Sequence, residues 1–236
     1  MTCPLEYTAG RGIHVSFDVY STLNLWSDTL AIAIILRNQL PINRFRDLLI
    51  GAIKTGAGDN ALLCSGFFQE NFRGSAYRAS VEKNFGTEIA NSKIELNTVG
   101  IHNGSWKQSY RDFRDNMKAL GANINCYYKN GLRWHAKVFV LSKGDEPVFG
   151  IIGSSNITRT AFGSISNFNY ECDVIIWPDS NKKISKWFDD QMTGNNFPYE
   201  VIRAPYDPDM NNGISVQDRL RQLKNEIFGS GISDLN

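Results

Sequence analysis

The sequence WHAKVFVLSKGDEPVFGIIGSSN, residues 134–156, decides the fold class. Its apolar residues predict two buried β-strands, 138–141 and 148–152, which a polar turn at 143–147 connects. His135 and Lys137 stand at the start of the first strand, and because strand side chains alternate, both are expected on one face. The second strand ends in Gly-Ser-Ser-Asn, just before a helix predicted to start near residue 157. The hairpin therefore predicts polar groups at the end of a buried sheet.

Strands and helices alternate along the rest of the chain. Residues 1–25 are predicted to be irregular or extended, Gly121 ends one helix and Ser215 caps another. The predicted helices are 45–54, 73–85, 106–120, 184–192 and 216–228, and the further predicted strands are 61–68, 93–101, 124–128 and 170–177. Helices between buried strands predict an α/β fold with a mixed β-sheet sandwiched between helices. We expect a catalytic domain at 1–205, with its core at about 45–192, and a C-terminal loop and helix appendage at 206–236.

Charge is balanced overall but uneven along the sequence. The net charge is +1, whereas residues 102–137 carry seven lysines and arginines against two aspartates. A local basic face on a neutral protein fits a polyanion that binds at one place. A solvated helix face explains the basic residues at 107–118 equally well, so both interpretations stay open.

The cysteines and the lengths of the apolar runs indicate in which cellular compartment the protein is expected. The four cysteines are isolated, and Cys64, Cys126 and Cys172 lie in apolar strand-like runs where a thiol acts as a small hydrophobic side chain. The N-terminal residues lack a signal-peptide pattern, and the longest apolar run, 30–36, is too short to span a membrane. We expect a cytoplasmic protein that does not act at a membrane and needs no cofactor.

The polar residues of the hairpin form a spaced pattern. His135-x-Lys137 is followed by a strand, a turn, a strand and Gly153-Ser154-x-Asn156, and the later strand opens with Asn169-x-Glu171. This pattern resembles the phospholipase D superfamily, in particular the branch with a single His-x-Lys motif. That branch includes bacterial phospholipase D-type nucleases and metal-independent restriction endonucleases. The resemblance implies a phospholipase D-like fold with one motif per chain.

Two features depart from the family pattern. Many members have an aspartate five residues after the lysine, where this chain has Ser142. The other histidines, His14 and His102, have no lysine two residues later, so the chain holds one motif rather than two. A single motif provides half an active site, which implies a homodimer that shares one cleft.

The residue types suit phosphodiester cleavage, which needs a nucleophile, an acid for the leaving oxygen and fixed positive charge. By resemblance, His135 attacks phosphorus to form a phosphohistidine, and the histidine of a second chain protonates the leaving group. Lys137 and Asn156 are expected to hold the phosphoryl oxygens, and Glu171 to accept a hydrogen bond from the ring nitrogen of His135 that does not react, which fixes the tautomer of the ring. Ser154 and Ser155 are expected to bind substrate, with free N–H groups of the following helix. These are the candidate site residues, and no metal ligand is among them; a core histidine and a strand-edge glutamate are the plainer alternatives.

The leading hypothesis is a metal-independent endonuclease that acts on nucleic acid, DNA rather than RNA. Family resemblance alone implies a role in a restriction system. The alternatives are a phospholipase or phosphatidyl-transfer enzyme, and an inactive module for nucleic-acid binding or dimerisation.

Overall fold

The structure, a computed structural model, describes residues 30–37, 42–131, 134–192, 201–229 and 231–236. The predicted extended segment at 1–25 lies outside these residues. The described strands are β1 (Leu30–Arg37), β2 (Asn60–Ser65), β3 (Glu95–His102), β4 (Asn123–Asn130), β5 (Lys137–Lys143), β6 (Glu146–Gly153), β7 (Glu171–Trp177), β8 (Val201–Tyr206) and β9 (Ser233–Asp234). The helices are α1 (Arg44–Lys54), α2 (Phe85–Ser92), α3 (Lys107–Ala119), α4 (Arg159–Phe162), α5 (Lys182–Met192) and α6 (Val216–Gly229).

All the described strands join one mixed sheet in the order β8-β1-β7-β6-β5-β2-β3-β4-β9. β2, β3 and β4 are parallel to one another, and β5, β6 and β7 follow as antiparallel neighbours. The predicted α/β fold with a mixed sheet between helices is confirmed.

Both faces of the sheet are covered, as the alternation in β5 shows. Phe139 and Leu141 point into the cluster that includes α1, α2, α3 and α5, whereas Val138 and Val140 point into a second cluster with α6. α6 packs closely on β6, since a Cβ added at Gly150 would lie 2.5 Å from Leu220 Cδ2. Strand residues buried on both sides explain the apolar runs of the hairpin.

The segment after residue 205 contacts the sheet. Tyr206, Val216 and Leu220 are buried in the second cluster, and β9 pairs with β4. The Ser215 hydroxyl accepts from the Asp218 N–H at 3.1 Å, which confirms the predicted cap of α6. The division into a catalytic domain at 1–205 and an appendage at 206–236 stays a prediction.

The predicted helix at 73–85 is wrong. The chain there forms two short 3-10 segments, Phe72–Gly74 and Ala79–Asn84. The cause is the buried carboxylate of Glu70, which accepts from the N–H and hydroxyl of Ser80 and from Asn116 Nδ2. Arg73, Lys83 and Asn84 take positive φ angles of 50°, 48° and 62°, so the segment cannot run as one α-helix.

Strands β1 and β8 were not predicted. β1 coincides with the apolar run at 30–36 and pairs with β7 and β8, antiparallel to each.

Cys64 and Cys126 are buried as expected, but the prediction for Cys172 is wrong because this thiol is exposed. Within the described residues, no helix is long and apolar enough to cross a membrane.

Candidate active site

The candidate residues meet at one edge of the sheet. β6 runs antiparallel to β5, and β5 antiparallel to β2, so β2 and β6 end at the edge where β5 begins. The parallel partners β3 and β4 also end there, and β7 begins there. We call this the site edge. Loops at the carboxyl ends of parallel strands commonly hold ligands in open sheets, and the topology gathers the motif residues at such an edge.

His135 and Lys137 stand where the chain enters β5. The strand starts at Lys137, so the prediction that both residues belong to the strand is wrong for His135, which precedes it and is exposed. Lys137 is half-buried, and its Nζ donates to the carbonyl oxygen of His135 at 2.7 Å. This contact holds the ammonium group next to the histidine and fixes its positive charge at the site edge.

Ser142 lies too far along β5 to take part. It stands five residues beyond Lys137, which in an extended strand is about 17 Å. Its side chain is buried at the opposite end of the sheet, where its carbonyl accepts from the Asp59 N–H. A serine in place of the family's aspartate therefore leaves the groups around His135 unchanged.

The Gly153–Ser155 turn is built on Asp173. Ser155 is fully buried, and its hydroxyl donates to Asp173 Oδ2 at 2.6 Å while its N–H reaches Oδ1 at 3.3 Å. A Cβ added at Gly153 would lie 2.0 Å from Asp173 Oδ1, so only glycine leaves room for this carboxylate. The Ser155 hydroxyl proton is bound by Asp173 within the protein interior, and substrate binding by Ser155 stays a prediction.

Asp173 is a site residue that the sequence reasoning missed. Its side chain is 3% exposed, and burial raises the pKa of the carboxyl to about 6, against the lowering effect of the two hydrogen bonds from Ser155. A signal was present in the sequence, because an aspartate at an inward position of the apolar strand β7 needs a buried polar partner.

Glu171 and Ser154 hold each other in place. The Ser154 hydroxyl donates to Glu171 Oε2, and Asn169 Nδ2 donates to Oε1 at 3.0 Å. The predicted contact between Glu171 and the ring of His135 is not formed within the described chain, since the carboxylate oxygens are directed at these two partners. Ser154 is exposed as a residue, but its hydroxyl also accepts from the Cys172 N–H at 3.0 Å, so both of these hydrogen bonds lie within the protein.

Asn156 faces the cleft from the end of β6. Its Oδ1 lies 3.3 Å from Ser65 Oγ and would lie 3.0 Å from a Cβ added at Gly66, so the oxygen points toward the end of β2. Among the described residues none accepts a hydrogen bond from its Nδ2, which leaves both amide protons for a ligand. The sequence did not single out Ser65 or Gly66, although Ser65 ends the buried strand β2 and Gly66 directly follows it.

The predicted helix after Asn156 starts later and is short. α4 has four residues, and the N–H of Ile157 donates to Ser65 Oγ at 3.1 Å while that of Arg159 donates to Gln69 Oε1 at 2.9 Å. These two N–H groups fasten the loop after β2 to the loop after β6, and substrate binding by other N–H groups of this helix stays a prediction.

A cleft of about 880 Å³ opens at the site edge. Three of the predicted residues line it, His135, Lys137 and Asn156. The other lining residues are aromatic or polar, apart from two glycines: Phe67, Trp106, Trp134, Gln69, Asn103, Thr158, Thr160, Asn169, Gly66 and Gly131. Glu171 is not among the lining residues, and it is connected to the cleft by the hydrogen bond that it accepts from Asn169. The structure thus joins a histidine, a lysine and an amide in one concave site.

Several basic side chains of this stretch make contacts within the protein. On α3, Arg111 Nε donates to the Asn236 carbonyl at 2.5 Å, and Arg114 donates to the Leu235 carbonyl and pairs with Asp115 at 2.8 Å. Lys107 lies over the ring of Tyr128, 4.5 Å from its centroid.

Within the described residues no group of three histidine, cysteine, aspartate or glutamate side chains is arranged to hold a metal ion.

Comparison with known proteins gives a family match. The model of the family described as "Cardiolipin synthase, PLD-like domain" matches residues 63–192, more than half of the chain. No curated protein matches. Among solved structures, the phospholipase D family member Nuc from Salmonella typhimurium is 17% identical, with a TM-score of 0.43 and coverage of 70% of this chain and 97% of Nuc.

Two other solved structures are also similar. Phosphatidylserine synthase from Haemophilus influenzae is 8% identical, with a TM-score of 0.41 and coverage of 85% of this chain and 46% of the synthase. Yeast tyrosyl-DNA phosphodiesterase is 14% identical, with a TM-score of 0.38 and coverage of 62% and 46%. This chain therefore aligns with about half of the length of these two proteins.

Proposed function

The chain belongs to the phospholipase D superfamily, and from this membership we propose that it is a metal-independent phosphodiesterase that cleaves nucleic acid, DNA rather than RNA. One observation carries the proposal: His135, Lys137 and Asn156 line the same cleft. The first two lie at the start of β5 and the third just after the end of β6, and these two strand ends are neighbours in the sheet. A nucleophile, a fixed positive charge and an amide donor are the groups that phosphodiester cleavage requires.

The proposed reaction has two steps. The unprotonated ring nitrogen of His135 attacks phosphorus, the bond to the leaving oxygen breaks, and a second histidine gives that oxygen a proton. Water then attacks phosphorus, the phosphorus–nitrogen bond breaks, and the second histidine takes the proton from water. Lys137 and the Asn156 amide stabilise the charge on the phosphoryl oxygens in both steps. Because fixed protein groups provide this charge, the proposal requires no metal ion.

The second histidine is proposed to come from another copy of the chain. The sequence contains one His-x-Lys pair, and His14 and His102 lack the lysine. A two-fold axis at the site edge would bring two copies of His135 and Lys137 to one phosphate. Tyr170, next to Glu171, is 79% exposed, and a partner chain at this edge would cover it.

The lining of the cleft favours nucleic acid over lipid. Amide and hydroxyl side chains, which can bind bases, sugars and phosphates, make up about half of it: Gln69, Asn103, Asn156, Thr158, Thr160 and Asn169. An acyl chain needs a continuous apolar surface instead. The cytoplasmic location and a role in restriction stay predictions from the sequence.

An assay with two substrates tests the activity. Purified protein should degrade plasmid DNA equally well with and without a few millimolar EDTA, and should release no choline from phosphatidylcholine vesicles. His135→Ala should abolish cleavage, and Lys137→Ala should reduce it about 10²- to 10³-fold, because each removes a group that acts in the transition state. Loss of activity in EDTA that magnesium restores would contradict the proposal, as would choline release without DNA cleavage.

Mixed dimers test the shared site. In a dimer of one wild-type and one His135→Ala chain, the single histidine cannot be both nucleophile and acid. We expect such dimers, isolated with two different affinity tags, to be nearly inactive. Half of the wild-type rate, or a fully active monomer in light scattering, would show that each chain carries a complete site.

A further inference from the structure

Aromatic side chains line part of the cleft that contains His135, Lys137 and Asn156. The rings of Phe67 and Trp106 are stacked, with centroids 4.8 Å apart and an angle of 26° between their planes. Phe72 meets Phe67 edge-on at 4.9 Å, and the Arg73 guanidinium lies 5.1 Å from the Phe72 ring centroid. Phe67 and Trp106 are half-buried and line the same cleft as His135 and Lys137. We call Phe67 and Trp106 the aromatic platform.

The loop before α3 presents Trp106 rigidly. Asn103 Oδ1 accepts from the N–H of Ser105 at 2.9 Å and from its hydroxyl at 2.7 Å. The N–H of Trp106 donates to the Asn103 carbonyl at 3.0 Å, which closes a tight turn before the helix. A ring fixed in this way loses little conformational freedom when a ligand stacks on it.

The loop after β2 holds Phe67. Its neighbour Phe68 is buried and forms a bridge with Ile157, and the N–H of Gln69 donates to the Ile157 carbonyl at 2.9 Å. The same loop contacts Asn156 through Ser65. The aromatic platform and the phosphate-binding amide are therefore anchored to one another, so a group on the platform has a fixed position relative to the phosphate.

The remaining lining has little positive charge. Among the described residues of the cleft, Lys137 is the one lysine or arginine, and Trp134 adds a third large ring next to His135. Duplex DNA is bound mainly through many phosphate contacts from cations. Unpaired strands are bound by stacking of bases on aromatic side chains and by polar contacts to base edges. The aromatic and polar lining of the cleft resembles the sites that bind unpaired strands.

We infer that the substrate is unpaired at the cleaved phosphate and that a neighbouring nucleobase stacks on the aromatic platform through Trp106. This inference rests on the proposed nuclease function. The platform is a half-buried wall of a concave cleft, and its rings are not among the widely exposed hydrophobic residues that a flat subunit interface would present. The platform therefore fits a base better than a second copy of the chain.

The test combines a change in the protein with a change in the substrate. Binding to His135→Ala protein is measured for a single-stranded oligonucleotide, the same strand with abasic sites at its centre, and the corresponding duplex, in DNA and RNA forms. Removing the bases should weaken binding about 5- to 100-fold, which is the usual value of one stacked base. Trp106→Leu should weaken binding of the intact strand equally and leave the abasic strand unchanged, whereas Trp106→Phe should retain most of the affinity.

The outcomes separate the two proposals. Equal binding of abasic and intact strands, or equal loss from Trp106→Leu on both, would overturn base stacking while nuclease activity stands. Tighter binding and faster wild-type cleavage of the duplex would do the same. Dissociation of the dimer by Trp106→Leu in light scattering would show that a second copy covers the platform. Failure to bind or cleave any oligonucleotide would overturn the proposed function itself.

Discussion

Replacing Asp173 by asparagine should stabilise the protein at neutral pH. The carboxyl is buried, and burial raises its pKa from the ordinary value of 3.8 to about 6, so the folded state holds a proton that the unfolded chain has already lost at pH 5. Stability therefore falls as the pH rises from about 4 to 6, and the loss is complete above the folded pKa. Two pKa units correspond to about 3 kcal/mol, which asparagine avoids because it carries no charge.

Urea unfolding of the wild type and of Asp173→Asn between pH 4.5 and 7.5 measures this effect. The advantage of the variant should grow by about 2 kcal/mol over this range, since about 1 kcal/mol of the loss has already occurred at pH 4.5. Asparagine can still accept from the Ser155 N–H through Oδ1 and donate to its hydroxyl, so the turn should persist. An advantage that does not change with pH would refute the raised pKa, and a variant less stable at pH 7.5 would show that the hydrogen bonds of the carboxylate outweigh its burial.

Two further substitutions probe the turn and the amide. Gly153→Ala should lower the free energy of unfolding by about 3 kcal/mol, because its Cβ would lie 2.0 Å from Asp173 Oδ1 and 2.6 Å from the Cys172 carbonyl oxygen; urea unfolding at wild-type stability would contradict this packing. Gly66→Ala should reduce kcat about 3- to 10-fold by displacing Asn156, whose Oδ1 would be 3.0 Å from the new Cβ, with little change in stability; an unchanged kcat would separate Asn156 from the reaction. Gly104→Ala is the control for both, since nothing lies within 4 Å of its Cβ.

Most strands with apolar runs were predicted, with the exception of β1, whose apolar run at 30–36 was not recognised as a strand. The hairpin of β5 and β6 and the amphipathic helix α3 form close to their predicted bounds, because hydrophobic periodicity reports burial directly. The helix predicted at 73–85 failed because two partners of Glu70 are distant in sequence: Asn116 and Ser109, which contact Glu70, lie on α3. Local patterns do not contain such tertiary contacts.

The candidate site was predictable as a set of residue types but not as a set of contacts. His135, Lys137 and Asn156 are brought together as the motif spacing indicates. Ser155 and Glu171 have other partners than expected, because Asp173 and Asn169 compete for them. The aromatic platform was invisible in the sequence, since Phe67 and Trp106 follow different strands and meet only when β2 and β3 pair.

Detection of the covalent intermediate tests the central claim most directly. Wild-type protein turning over a single-stranded oligonucleotide is quenched in alkaline denaturant, which preserves a phosphorus–nitrogen bond, and its peptides are identified by mass spectrometry. The account predicts a nucleotide attached to the peptide that contains His135, and no such product from His135→Ala. An adduct on another residue, or rapid cleavage by His135→Ala, would contradict the assignment of His135 as the nucleophile.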